Sequence, residues 1–248
     1  MTNKNIKKIV LAYSGGLDTT VILHWLKKEY DAEVIAFTAD IGQDHDADLV
    51  KERANSIGAS KVIIEDLKED FTLDYIFPMF KANTLYEGEY LLGTSIARPL
   101  ISKRLVEIAE QEGADAIAHG ATGKGNDQIR FEIGSYSLNP DIQVIAPWRT
   151  WEFTSRADLV QYCKEHQISI DAGPEEPLYS TDENLLHTSY EGEILEDPSI
   201  PAPEEIWKRT ASLESAPDKP EVIEISFTKG LATALDGKAY SPAEILTN

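Results

Sequence analysis

One cysteine, two methionines and no apolar run approaching the roughly 20 residues needed to span a bilayer set the first limits on this chain. Cys163 alone allows no intrachain disulfide and no thiolate metal cluster, and nothing points to an oxidising compartment, so the reading is cytoplasmic. Basic residues are also scarce: 23 Lys and Arg stand against 43 Asp and Glu, a formal charge of -20. Such a surface repels nucleic acid and anionic membranes, although a local basic pocket can still hold a phosphate. The partners expected are therefore small molecules, not nucleic acid and not a membrane. There is no internal repeat, no low-complexity tract, and no Ser-His or Cys-His arrangement from which a catalytic nucleophile could be assigned.

What is present is enough for a large core: 248 residues, 42% of them hydrophobic. Short β-branched runs alternate with longer helical patterns through the first two-thirds, the signature of βαβ units. Strands are predicted at Ile6 to Tyr13, Glu33 to Thr38, Lys61 to Ile64, Ala114 to Ala118 and Ile142 to Ala146. Helices are predicted from Thr19 to Glu29, from Asp46 to Ser56 before Gly58, over most of 66 to 112 with a break near Tyr86 to Thr94, and from Ser155 to His166. The fold class expected is α/β, a parallel twisted sheet with helices on both faces.

From about residue 168 the character changes, with seven of the twelve prolines between Pro174 and Pro220. Glu221 to Thr228 and Leu231 to Leu235 flank Lys229-Gly230 as a hairpin, and Ser241-Pro242-Ala243-Glu244 starts a helix four residues before Asn248. A helix begun so late suggests a fragment. The domains expected are 1–167, binding nucleotide, and 168–248, an incomplete α+β part.

The chemistry begins at Tyr13-Ser14-Gly15-Gly16-Leu17-Asp18-Thr19. A strand that ends in Ser-Gly-Gly and opens into a helix gathers backbone N–H groups and a helix N-terminus at one point, which suits a multiply charged phosphate. Gly15 and Gly16 let the backbone approach a ligand without a Cβ in the way. Ser14 and Thr19 can donate to phosphate oxygens, while Asp18 is a helix cap or a ligand for phosphate-bound Mg²⁺. The plainer alternative is a tight turn before a capped helix. Two other nucleotide motifs are excluded: Gly125 stands after Lys124 where a Walker loop needs Ser or Thr, and neither glycine cluster gives G-x-G-x-x-G. His24, Trp25 and Cys163 read as packing residues, His119 and His187 as structural, and Asp44 to Asp48 as a solvated helix start.

Ser14 to Thr19 carries the SGGxD[ST] mark of the N-type ATP pyrophosphatases. Together with Ala39-Asp40-Ile41-Gly42-Gln43, Tyr90 to Pro99, His119 to Glu132, Asp182 to Leu185 and Ser189-Tyr190-Glu191, it makes the chain resemble the argininosuccinate synthase family over nearly all its length. The resemblance implies an adenine nucleotide alpha hydrolase-like fold and a ligase of arginine biosynthesis and the urea cycle. Such a ligase condenses citrulline with aspartate through a citrullyl-adenylate and releases AMP and pyrophosphate from Mg²⁺-bound ATP. It implies ATP contacts at Ala12, Tyr13, Ser14, Gly15, Gly16, Leu17, Asp18, Thr19, Thr20, Ala39 and Gly120. Citrulline contacts fall on Tyr90, Ser95, Asn126, Arg130, Ser180 and Ser189, and aspartate contacts on Thr122, Asn126 and Asp127. The residue types fit: Arg130 can pair with a carboxylate, Asp127 can accept from an ammonium, and Asn126 can both donate and accept. Lys124, among three glycines, could offset phosphate charge.

The family also implies a homotetramer, and further citrulline contacts and an oligomerisation helix beyond Asn248. The chain is accordingly expected to be the N-terminal portion of a synthase and weak or inactive alone. Two other readings stay open: another ATP pyrophosphatase such as a tRNA-modifying enzyme, and a non-catalytic nucleotide-binding fragment.

Overall fold

The structure, a computed structural model, describes residues 6–169 and 179–248. The start Met1 to Asn5 and part of the proline-rich change of character after residue 168 lie outside the described residues. In chain order the elements are β1 (Lys8–Ala12), α1 (Leu17–Tyr30), β2 (Glu33–Asp40), α2 (Ala47–Ile57) and β3 (Lys61–Asp66). Next come α3 (Lys68–Phe71), a π-helical turn (Thr72–Ile76), α4 (Phe77–Lys81), α5 (Gly93–Glu112), β4 (Ala116–Ala118), α6 (Asn126–Leu138), β5 (Gln143–Ile145) and α7 (Arg156–Glu165). The remainder holds β6 (Ser180–Glu183), β7 (Thr188–Glu191), β8 (Ile225–Thr228), β9 (Leu231–Leu235), β10 (Lys238–Ala239) and α8 (Pro242–Thr247).

Two compact units divide these elements. The first takes the residues up to Leu67 and resumes at Ser95, continuing to the end of the first described stretch. Its five strands are all parallel, in the order β3-β2-β1-β4-β5. The chain steps outward from β1 to β3, then returns to lay β4 on the other side of β1. With right-handed crossovers, that reversal sends α1 and α2 to one face of the sheet and α5 and α6 to the other. Ile9, Leu11, Val34, Ala36, Ala116 and Ala118 face Ile22, Leu23, Leu26, Val50 and Ala54 in one apolar cluster. Val10, Ile35 and Ile117, which alternate with them, are equally buried, as strands covered on both faces require.

Local signals set the helix limits. Asp46 accepts from the backbone N–H groups of Asp48 and Leu49 at the start of α2, and Gly58 ends it in the left-handed conformation. Ser155 and Asp158 form a capping box on α7, whose Leu159, Tyr162 and Cys163 pack on Leu17 and Val21 of α1. Helices α5 and α6 approach closely at Gly134, where a Cβ would stand 3.0 Å from Ser102 Cβ.

The second unit comprises Lys68–Thr94 and the described residues from 179. It contains the antiparallel pair β6-β7, the antiparallel sheet β10-β9-β8, and α8, started by a capping box of Ser241 and Glu244 with Pro242 in the first turn. Ser241 and Ala243 also donate to the Glu69 carboxylate of α3. The expectation of only the beginning of a second part is corrected here: the described residues hold two sheets and three helices in one compact unit. Helix α6, the strands β6 and β7, and the short β10 escaped the sequence reading. Helix α6 begins inside the glycine-rich stretch, and the β6-β7 hairpin carries too few apolar residues to show a strand pattern.

The close approach at Gly134 yields a test. Gly134→Ala forces a methyl into buried helix-helix contact, and overpacking of this kind costs about 1–3 kcal/mol. The urea midpoint of the variant should fall accordingly, and an unchanged midpoint would mean that α5 and α6 are not held at this distance.

Candidate functional site

The reversal of strand order between β1 and β4 opens a crevice at the carboxyl ends of the strands, where open parallel sheets bind ligands. Three of the segments singled out in the sequence lie at these ends. Tyr13 to Gly16 follows β1, Ala39 and Asp40 end β2, and Gly120 to Gly125 follows β4.

The first loop is held from within and from beneath. Gly15 is left-handed, with φ of +79°, and a Cβ there would lie 3.0 Å from Val50 of α2. Arg53 of α2 donates to the Gly15 carbonyl, bringing a guanidinium beneath the loop. Thr19 Oγ1 sits 3.0 Å from Ser14 Oγ and accepts from the Ser14 amide, while Gly16 N donates to Ser14 Oγ at 3.3 Å. Tyr13 is fixed by Thr38, whose hydroxyl donates to its carbonyl at 2.6 Å, and its own hydroxyl meets Thr20 Oγ1. The N-cap of α1 is Gly16 and no side chain caps the helix, so Asp18 is not the cap that the sequence suggested. Burial pushes the Asp18 carboxyl up, opposed by hydrogen bonding to its own backbone and by Arg156, so a cation beside it would relieve an unfavourable charge. Gln43 closes the β2 end of the crevice: its side chain donates to Ala39 O and accepts from Ile41 N.

The second loop is drawn against α1. A Cβ on Gly120 would stand 3.1 Å from Thr19 Cγ2, so glycine lets the chain after β4 pass close to α1 without a crowded contact. The loop then runs into the N-terminus of α6, again without a side-chain cap, leaving Thr122, Lys124 and Asn126 exposed. Asp127 is clamped between two arginines, with Arg98 Nε donating to Oδ2 at 2.9 Å and Arg130 Nη1 to Oδ1 at 2.7 Å. Arg130 was read as a partner for a ligand carboxylate and Asp127 for an ammonium; in the structure they first meet each other. His119 is fully buried beneath, stacked on Phe131 with ring centroids 4.8 Å apart. Its Nδ1 accepts from Ala121 N. Burial, reinforced by Arg149 and opposed by Asp127, lowers its pKa to about 4, so the ring is neutral and carries its proton on Nε2.

In the second unit Tyr90 pairs with Tyr86 in a short antiparallel bridge, and its ring lies edge-on to His187 at 5.1 Å. Ser180 and Ser189 lie on β6 and β7, where Asp182 pairs with Ser189 and Ser180 with Glu191. Residues opposite one another, and residues two apart, share a face, so both serines present to the same side of the hairpin.

The residues predicted for ATP, and Thr122, Asn126 and Asp127, all belong to the first unit. The six citrulline residues do not: Ser95, Asn126 and Arg130 are in the first unit, and Tyr90, Ser180 and Ser189 in the second. Sequence reasoning missed Arg53 and Arg98. Arg98 lay inside a quoted motif without a role, and its acidic partner 29 positions on is visible only after folding. Among the described residues no group of three or more His, Cys, Asp and Glu is placed to hold a metal, and no helix is long and apolar enough to cross a membrane.

A family model described as "Arginosuccinate synthase N-terminal HUP domain" matches residues 8–169, and one described as "Arginosuccinate synthase C-terminal domain" matches residues 179–248. Relatives named argininosuccinate synthase are similar along almost all of the chain. That of Dinoroseobacter shibae is 60% identical over 243 residues, covering 97% of this chain and 60% of the relative. That of Saccharophagus degradans is 58% identical over 247 residues, covering 99% and 60%, and that of Rhodospirillum rubrum 57% over 248, covering 99% and 61%. The chain thus spans about three fifths of the length of these relatives. Similarity running through both family domains corrects the reading of the chain as an N-terminal portion with only the beginning of a second domain.

His119 gives a measurable consequence of this packing. Its folded pKa of about 4 lies below the ordinary 6.5, so between those values the unfolded chain takes up a proton that the native state refuses. Stability is therefore full above pH 6.5 and declines as the pH falls toward 4, by about 3 kcal/mol from this residue. In an NMR titration the His119 ring should remain neutral from pH 8 down to 5.5; a midpoint near 6.5 would show that the ring is not buried as described.

Proposed function

Because the chain belongs to the argininosuccinate synthase family, we propose that it acts as an ATP-dependent ligase joining citrulline to aspartate. The observation that supports the reading is that the chain after β4 packs on the helix opening from the Ser14-Gly16 loop, with Gly120 against Thr19 of α1. The loop after β1 supplies amide donors and a helix N-terminus for the β and γ phosphates. The loop after β4 leads to Thr122, Asn126 and Asp127, where an amino-acid ammonium and carboxylate find complementary groups.

The reaction proposed has two steps. The ureido oxygen of citrulline attacks the α-phosphorus, forming a citrullyl-adenylate and releasing pyrophosphate. The aspartate amino group then attacks the ureido carbon, AMP leaves, and argininosuccinate is formed. Holding adenylate and amine side by side makes the second step effectively unimolecular, which explains why no nucleophilic side chain is needed. In this reading Tyr90, Ser95, Asn126, Arg130, Ser180 and Ser189 contact citrulline. Ala12 to Thr20, Ala39 and Gly120 contact ATP, and Asp18, desolvated at the loop, fits the magnesium ion that ATP brings. Of the residues 1–167 first assigned to nucleotide, Lys68–Thr94 joins 168–248 in the substrate role and the rest keeps the nucleotide role, in a cytoplasmic homotetramer.

The acidic surface favours this reading over a tRNA-modifying one: a formal charge of -20 opposes an RNA backbone. Measuring pyrophosphate release from ATP tests it directly. Release should require citrulline, and argininosuccinate and AMP should accumulate only when aspartate is added. Release that is indifferent to citrulline, or RNA binding with a steep salt dependence, would overturn the assignment.

A further inference from the structure

The second unit contains a histidine that the proposed chemistry leaves without a task. His187 lies at the end of the turn between β6 and β7, two residues before Ser189. That turn is braced on every side. Asn184 Oδ1 accepts from the amides of Leu186 and His187, and Asn184 N donates to His187 O. Arg209 donates to the carbonyls of Asn184 and Leu185 and to Thr188 Oγ1. The backbone of His187 is therefore fixed before its ring makes any contact.

From this platform the ring reaches the segment that carries Tyr90. His187 Nε2 accepts from the buried amide of Gly93 at 2.8 Å, which satisfies a donor that α5 itself cannot, since the first amides of a helix have no intrahelical partner. The same ring meets Tyr90 edge-on at 5.1 Å. Gly93 has no room for a side chain: a Cβ would lie 2.6 Å from His187 Nε2 and 2.8 Å from Asn184 Oδ1. Between Tyr90 and Gly93, Leu92 is held with φ of +60°, a left-handed conformation unfavourable for a bulky residue, which persists only where its surroundings impose it.

We propose that His187 is a positioning residue for citrulline: it locks Tyr90 and Gly93 onto the hairpin that presents Ser180 and Ser189. Three of the six residues assigned to citrulline are thereby set in one arrangement within one unit. The inference rests on the citrulline reading above and adds a residue to it. The role needs an acceptor at Nε2, so the ring must be neutral. Burial holds its pKa down and Arg209 does the same, against Asp182 in the other direction; Tyr90 is the titratable group facing it from the packed segment. Protonation would turn the acceptor into a donor and release the Gly93 amide.

Steady-state kinetics on the full chain, with pyrophosphate as the readout, separates the possibilities. His187→Ala should raise KM for citrulline by about tenfold or more, the effect of losing one buried hydrogen bond, with KM for ATP unchanged. His187→Gln, which can still present an acceptor near Nε2, should recover much of the loss. Gly93→Ala should reproduce the citrulline defect, and the double variant His187→Ala/Gly93→Ala should be little worse than either single one, because both break the same contact. In the unsubstituted protein KM for citrulline should rise in acid, and the rise should vanish in His187→Gln. Equal changes in both KM values, no rescue by Gln, or additive single variants would reduce His187 to a fold-stabilising residue and overturn the proposal. If the unsubstituted protein showed no citrulline dependence at all, the functional reading would fall and this inference with it. Citrulline dependence that is untouched by His187→Ala would sink this inference alone.

Discussion

The pairing of β4 with β1, rather than with the end of the sheet begun by β2 and β3, is the constraint on which the first unit depends. It makes the chain reverse direction and divides the helices between two faces. It also leaves the ends of the two loop-bearing strands adjacent. Placed elsewhere, β4 would carry Gly120 away from Thr19, and the amide-rich loop and the Asp127 clamp would be separate features. Glycine is then favoured at Gly120 by contact and not by backbone angle: a methyl group there would crowd Thr19 and Ile22 of α1.

Around that crevice the structure spends polar groups on holding backbone in place before any ligand arrives. Thr19 and Ser14 bond to one another, Arg53 reaches the Gly15 carbonyl, and Gln43 closes its own turn. Asp127 is already paired with Arg98 and Arg130. Pre-placed donors and acceptors lower the cost of ordering the site on binding. The second unit follows the same logic with different chemistry, since Arg209 and Asn184 stiffen a turn so that one imidazole can satisfy a distant amide.

Much of this was legible in the residues. Strand β1, the loop after it, α2 between Asp46 and Gly58, and α7 behind Ser155 all lie close to where alternation, capping side chains and glycine place them, because those signals act over a few neighbouring residues. Helix α6 was not, for it opens with Asn126, Asp127 and Gln128 after a run of glycines and shows a weakly apolar face. The β6-β7 hairpin was hidden for a related reason: Ser-Thr-Asp-Glu against Thr-Ser-Tyr-Glu offers no apolar alternation, and its turn is held by hydrogen bonds of Asn184 and Arg209.

By itself the sequence determined the glycine loop from Ser14 that opens into a helix, the parallel α/β class of the first two-thirds, and the motifs that tie the chain to its family. Each rests on local chemistry or on residue identity, and neither needs knowledge of which strand lies beside which. Only the tertiary structure decided that Gly120 meets Thr19, that Arg98 shares Asp127 with Arg130, and that His187 accepts from Gly93. Those pairs are separated by 29 to 101 positions except for Asp127 and Arg130. Contacts across such distances are set by strand order and helix packing, for which a one-dimensional pattern carries no signal.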